Sequence, residues 1–308
     1  MSTQLRQPKG QTIGGQFAPD VHPEATVDLA TEPNPQQERK DALLEQLADG
    51  VDQLTTSEEW ERYLDFQTRF HRYSFNNTML IMLQKPDATR VASFKAWQGM
   101  DRTVKKGEKA LYVLAPMMGK RKPKDGEDPE AVKDLKSIYG FKGVPVFDVS
   151  QTEGEPLPEP VTKLDGEDAE GHFAQLAEVA QSLGFWVVDH EFTDGVNGDC
   201  NHADKVIRVH AGNSPAQRVK TLTHELAHAM LHEDTEWYRE NRGQAELEAE
   251  STAYVVCQTL GLETSGYSFG YVASWGGGGD EVRKRIKGSG DRIQKTAVAI
   301  LTGLDSLP

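Results

Sequence analysis

The apolar positions of the chain change period more than once. From about residue 41, Leu43, Leu44, Leu47, Val51 and Leu54 recur at helical spacing. After Thr56 a second helix is predicted, with Ser57 as its N-cap and Trp60, Tyr63, Leu64 and Phe70 on one face. A short apolar stretch over 78–83 stops before Pro86, as a helix should. The pattern then turns strand-like. Residues 102–104, the turn Lys105-Lys106-Gly107-Glu108 and residues 109–115 read as a hairpin with lysines at its tip, and 144–149 resumes a strand to give a small sheet. The charged stretch 117–137 between them reads as an insertion.

Further on, 169–183 predicts a helix closed by Gly184, and 185–188 and 206–209 are strand-like with a Gly/Asn/Asp loop between them. Ser214-Pro215 is an N-cap followed by a proline at the first helical position, opening a helix that runs to about His232. Further helices are expected at about 244–260, 267–275 and 280–301. Residues 151–167 are a Pro-rich acidic linker, and 1–38 hold five prolines without a sustained apolar period, the signature of a disordered tail. The expected class is α+β, with a small mixed α/β module over 39–150 and a helix-rich domain over 168–308.

Composition narrows the class. At 308 residues and 37% hydrophobic, the chain suits two modest domains better than one large core. No run of about eighteen apolar residues and no signal-type N-terminus is present, which predicts no membrane partner and a cytoplasmic protein. The two cysteines, Cys200 and Cys257, form no CxxC pair and offer no cysteine metal site. Charge is unevenly spread. Residues 60–124 hold fourteen Lys/Arg against five Asp/Glu, a net of +9, and leave −23 on the remainder. A basic binding module joined to an acidic domain has this footprint.

The sharpest chemical signal is His224-Glu225-Leu226-Ala227-His228. Residues four apart share a helix face, so the two imidazoles can present nitrogens to one ion while Glu225 projects beside it. Zn2+ suits two histidines and a carboxylate, with Glu225 left over to take a proton from water. Leu222, Leu226, Ala229, Met230 and Leu231 continue an apolar face; the bland alternative is a solvated helix with its histidines in water. His232 lies two turns from His224, about 12 Å along the axis, and cannot share its ion; it would bind the helix C-terminus or line the cleft. The third ligand must then be acidic, from Glu246, Glu248 or Glu250. Glu246 and Glu250 share a face with Ala253 and Cys257, while Glu248 points roughly the other way. Glu246 is the preferred ligand, and Glu250 would accept the second ring N–H of a liganding histidine.

In the basic segment, Arg72, Tyr73, Asn77, Lys95, Trp97, Arg102, Lys105, Lys106 and Lys109 provide the mixture of cations and aromatics that single-strand binders use. Tyr73, Phe75, Phe94 and Trp97 could equally be core.

HELAHAMLH followed by ELEAESTAYVVCQTLGL resembles the metallopeptidase half of ArdC-type antirestriction proteins and, more distantly, ImmA/IrrE and SprT-like zincins. YSFNNTMLIMLQ, SFKAWQGMDRTVKKGEKALYVLAP and GVPVFDVSQTEG are similar to the single-stranded-DNA-binding domain of the same family, over roughly 40–155. The resemblance implies a zincin-like domain with Glu246 as third ligand and Glu250 behind it, and a peptide laid along the strand 206–209 as on an edge. Tyr267, Tyr271 and His232 are available as oxyanion donors. Implied partners are single-stranded DNA and a protein or peptide substrate, in an antirestriction role on mobile-element or phage DNA. Two rivals remain: a DNA-coating protein with a non-catalytic zinc site, and an ImmA/IrrE-like regulatory peptidase that cleaves a repressor.

Overall fold

The first helix starts where a proline permits it. In the computed structural model, which describes residues 34–120, 136–157, 169–193, 195–262, 267, 269, 272 and 279–307, α1 spans Pro35–Gln53. Its first residue lacks only an N–H that would have no partner in the first turn. The expected tail 1–38 therefore loses 35–38 to this helix, and 1–33 lie outside the described residues. α1 buries Leu43, Leu47 and Val51, four residues apart. α2 (Ser57–Arg69) is capped by Thr56, whose hydroxyl accepts from Glu59 N at 3.2 Å, and not by Ser57. Ser57 is the first helical residue, and its Oγ donates to Phe269 O at 3.1 Å. α3 (Phe75–Gln84) begins earlier than its apolar run because Ser74 caps it.

The expected 102–115 hairpin does not form. β2 (Arg102–Val104) pairs antiparallel with β5 (Thr152–Gly154), whereas β3 (Leu111–Lys120) pairs with β4 (Lys136–Asp148), which also pairs with β1 (Val91–Ala92). The Arg102 guanidinium is bonded to Thr152 and to the Gly154 and Glu155 carbonyls. Gly154 has φ +135°, and a Cβ there would lie 2.4 Å from Asp101 O, so glycine is required where β5 meets β2. The insertion 117–137 is partly strand: its ends, 117–120 and 136–137, continue β3 and β4, and 121–135 lie outside the described residues. Between β1 and β2, the short α4 (Phe94–Gln98) is capped by Ser93.

The C-terminal half opens with α5 (Ala169–Ser182), followed by Gly184 at φ +86°. β6 (Trp186–His190), β7 (Gly198–Asn201) and β8 (Val206–His210) form a sheet of order β6-β8-β7. The Gly/Asn/Asp loop thus contains a strand, and β8 is central, paired parallel to β6 and antiparallel to β7. The strand 206–209 is not an edge. α6 (Pro215–Leu231) is capped by Ser214 as predicted. α7 (Thr235–Glu240), α8 (Arg242–Thr259) and α9 (Asp280–Asp305) follow. The expected helix 267–275 lies mostly outside the described residues. No helix among the described residues is long and apolar enough to cross a membrane.

The core is continuous across both halves. α6 packs against α5, α8, β7 and β8, while α8 packs against α2 and α9, and α9 against α1 and α3. Trp60, fully buried on α2, donates from Nε1 to Ser251 Oγ on α8 at 2.9 Å, and Tyr254 Oη donates to Asp65 Oδ1 at 2.5 Å. On α9, a Cβ at Gly290 would sit 2.1 Å from Phe75 Cδ2, so the helix backbone rests directly on that ring. The residues from Pro35 onward accordingly form one compact unit, and of the expected linker 151–167 residues 158–167 lie outside the described residues.

Candidate metal centre

α6 is held on its apolar side by the buried Val219, Leu222 and Leu226, which leaves His224 and His228 one turn apart on the side facing α8. Their Nε2 atoms approach to 3.0 Å, and Glu246 Oε2 lies 3.5 Å from the first and 3.7 Å from the second. An ion with ligand bonds of about 2.0–2.1 Å in tetrahedral geometry separates its ligands by roughly 3.3–3.4 Å. The triangle fits. It is also the group among the described residues whose ligand atoms lie close enough together to hold a metal.

Glu225, next to the first histidine, is 8% exposed. A Cβ at Gly198 would lie 3.3 Å from Glu225 Cγ and 2.5 Å from Thr221 Cγ2, so β7 can pass this close to α6 only as glycine. Burial lifts Glu225 to about 7, against the pull of the neighbouring His224. Burial likewise takes His228 down to about 4, which favours the neutral ring that a metal needs. On His224 burial opposes the charge, but the Glu246 and Glu250 carboxylates outweigh it and raise the ring to about 9. Bonds from His224 and His228 hold Glu246 well below the usual carboxylate range.

Each candidate ligand is braced from behind. His224 Nδ1 faces Glu250 Oε2 at 3.1 Å, and Lys220 Nζ sits 3.2 Å from Glu250 Oε1. Tyr238 Oη donates to Glu246 Oε1 at 2.8 Å, leaving Oε2 toward the histidines. His228 Nδ1 meets His232 Nδ1 at 2.9 Å, and His232 Nε2 meets Glu248 Oε2 at 3.4 Å. If His228 ligates through Nε2, its Nδ1–H donates to His232 Nδ1, and the proton on His232 Nε2 is then directed at Glu248. Glu248 is fully buried and anchored by Arg292 Nε at 2.8 Å, Ser289 Oγ at 2.7 Å and Gln244 Nε2 at 2.9 Å. Burial opposes its charge, but Arg292, His232 and Ser289 bring it down to about 2.

The prediction that Glu248 points away from Glu246 therefore holds, yet it is no solvated acid: it ends a buried chain that starts on a candidate ligand. The His232 backbone N–H closes α6 on His228 O and its side chain lines the cleft, the second of the two places that the sequence offered for it. Both of its nitrogens are engaged, so it is a poor oxyanion donor. Tyr267 is also badly placed: its ring lies under Lys220 Nζ at 3.7 Å and its hydroxyl is buried. Tyr271 lies outside the described residues. Tyr238 was missed; the available signal was an aromatic pair, Trp237-Tyr238, on a short capped helix between the two helices bearing candidate ligands. The histidines open onto a cleft of about 1040 Å³ lined by β7, α6 and α7. Burial raises the Cys200 thiol to about 12, so it stays protonated at the cleft wall.

The basic candidates divide. Trp97 is fully buried and donates from Nε1 to Phe147 O at 2.9 Å, and Tyr73 Oη donates to Val91 O at 3.0 Å. Asn77 exchanges two bonds with the Leu114 backbone, at 3.0 and 2.8 Å, and Arg102 is committed to β5. Arg72, Lys95, Lys105, Lys106 and Lys109 are exposed; Arg72 lies 3.9 Å from Asp305, and Lys105 Nζ donates to Ser150 O at 3.0 Å.

Residues 33–147 match the family model for the N-terminal domain of anti-restriction factor ArdC, and residues 180–257 match the IrrE N-terminal-like domain of a peptidase family. An uncharacterized protein of Bacillus anthracis is 28% identical over 305 residues, covering 87% of this chain and 51% of that protein. The chain thus spans about half the length of this curated relative. Two crystal structures of the antirestriction ArdC protein from the R388 plasmid are also similar. The metal-free one has 20% identity and a TM-score of 0.48, covering 77% of this chain and 86% of that one. The Mn(II)-bound one has 18% identity and a TM-score of 0.45, covering 80% and 99%.

Proposed function

Starting from an ArdC-type chain, one that joins the N-terminal domain of anti-restriction factor ArdC to an IrrE N-terminal-like domain, we propose that it is a single-stranded-DNA-binding zinc metallopeptidase with an antirestriction role. His224, His228 and Glu246 hold the ion. The observation that carries this reading is the triangle of two Nε2 atoms and one Oε2 at 3.0–3.7 Å, with the Glu225 carboxylate beside it in an open cleft. When bound, zinc supplies Lewis-acid polarisation of a peptide carbonyl. Glu225 takes the proton of the attacking water and passes it to the leaving amine. Glu250 and His232 keep the two liganding rings in the tautomer that frees Nε2. β7, an outer strand of its sheet among the described residues, and not β8, offers the backbone on which an extended peptide adds as a strand. The exposed lysines of the basic region supply the phosphate contacts.

Glu225→Gln tests the chemistry. Casein cleavage should fall about a hundredfold to ten-thousandfold, while metal content and oligonucleotide binding stay at wild-type levels. Glu246→Ala should release the ion. Unchanged cleavage by the first variant, or full metal occupancy in the second, would sink the peptidase reading.

A further inference from the structure

The distal half of the β3–β4 ribbon carries an unexpected surface. Large apolar side chains that a soluble protein would cover are exposed there: Met118 at 52%, Ile138 at 54%, Tyr139 at 69% and Phe141 at 47%. Near its base β4 is flanked by β1 through Val91 and Ala92, and the β3 backbone is bonded at Tyr112 and Leu114 by the Gln84 and Asn77 side chains; from Ala115 outward no third strand pairs with the ribbon among the described residues. The register shifts between Met117 and Met118, which pair with Gly140 and Ile138, so Tyr139 is the unopposed residue of a bulge. A bulge re-aims the side chain it carries. Here the Tyr139 ring lies over Gly119 on the facing strand, where a Cβ would come within 2.9 Å of Cδ1. A ring laid across a glycine keeps its other face free.

Charge points to the occupant. Residues 111–120 and 136–147 contain three lysines and no acidic residue. Lys120 and Lys136 stand directly opposite each other in the register, and both are exposed, as is Lys142 beside Phe141. Like charges in directly opposed positions destabilise a strand pair, a cost that an anion between them would relieve. Aromatic covering of a glycine and lysines guarding an edge are structural devices in their own right. Neither accounts for Phe141, Ile138 and Met118 left in water along the same ribbon.

We propose that the ribbon bearing Tyr139, Phe141, Lys120, Lys136 and Lys142 is the surface on which a single-stranded nucleic acid lies, its bases stacking on the two rings and its phosphates meeting the lysines. The inference rests on the DNA limb of the proposed function. It moves the stacking residues away from the half-buried Tyr73 and the buried Trp97.

The test is fluorescence anisotropy of full-length protein with a labelled oligo-dT. The paired substitution Y139A/F141A should weaken binding about tenfold or more. The swap Y139F/F141Y should restore it, and K120A/K136A should flatten the dependence of log affinity on log salt. Thermal midpoint and metal content serve as fold controls and should match wild type. Wild-type protein that fails to bind oligo-dT would overturn the DNA limb itself and this proposal with it. Wild-type binding with Y139A/F141A unaffected would overturn the ribbon alone. So would a loss confined to K105A/K106A, on the turn before β3, or a loss in K120A/K136A with none in Y139A/F141A, which would leave charge without stacking.

Discussion

In the C-terminal half, His224, His228, Glu246, Glu248 and Glu250 come from two helices that pack on each other, and each has a polar partner within 3.5 Å. In the N-terminal half, the residues that chemistry alone assigns to a nucleic acid separate into two groups. Tyr73, Asn77, Trp97 and Arg102 are fixed by backbone hydrogen bonds, and the lysines stand in solvent. The difference follows from what each chemistry demands. An ion fixes its ligands to about 2 Å and so imposes a spacing on the helix that carries them. A single strand asks only for rings and cations along a groove, at no set interval.

The largest expected effect tests the assignment of the buried aromatics. If Trp97 is core, Trp97→Ala should cost about 3–5 kcal/mol of stability, measured by urea denaturation. Any DNA binding should then survive at a temperature where the variant is still folded. A fully stable Trp97→Ala protein with lost DNA binding would reverse the contrast between the two halves.

This contrast also explains what could be read in advance. The α6 cap at Ser214, the two-histidine face and the face shared by Glu246 and Glu250 all follow from helical geometry, which acts over four residues and leaves its mark in the chain. Strand partners carry no such local mark. The 102–115 segment has the composition of a hairpin, but its pairing is decided by Thr152 and Gly154, about fifty residues away, through bonds made by Arg102. The order β6-β8-β7 was hidden for the same reason, since Gly198–Asn201 is too short and polar to announce a strand. Glu248 points away from Glu246 as its place on the helix implies, but its destination depends on Arg292 and Ser289, 44 and 41 residues further on.

A middle-sized effect tests whether bracing behind the ligands matters as much as their count. His232→Phe keeps the flat ring stacked on Trp237, at a centroid distance of 5.7 Å, and removes both nitrogens. Glu248 keeps Arg292, Ser289 and Gln244, so the fold should hold. Removing such a support should weaken metal affinity about tenfold to a hundredfold, measured by chelator competition. Unchanged affinity would reduce the His228–His232–Glu248 chain to packing.

The smallest effect concerns a buried acid of the N-terminal half that bonds backbone N–H groups. Asp148 ends β4 and is 1% exposed. Its carboxylate accepts from Thr89 N at 2.9 Å, Arg90 N at 3.1 Å and Ser150 N at 2.9 Å, tying β4 to the loop before β1. Burial opposes its charge, but these bonds outweigh burial and depress its pKa below the ordinary value. A carboxyl with a depressed folded pKa stabilises above its unfolded value of about 3.9, and that contribution is lost as pH falls through the folded value. Asp148→Asn, which replaces one accepting oxygen with an NH2 that cannot accept, should therefore cost about 1 kcal/mol at pH 7, and the gap to wild type should narrow as pH drops below about 4. Paired urea midpoints at neutral and acid pH measure it. A gap that stayed constant across that range would mean that shape at position 148, and not the negative charge, holds the two loops together.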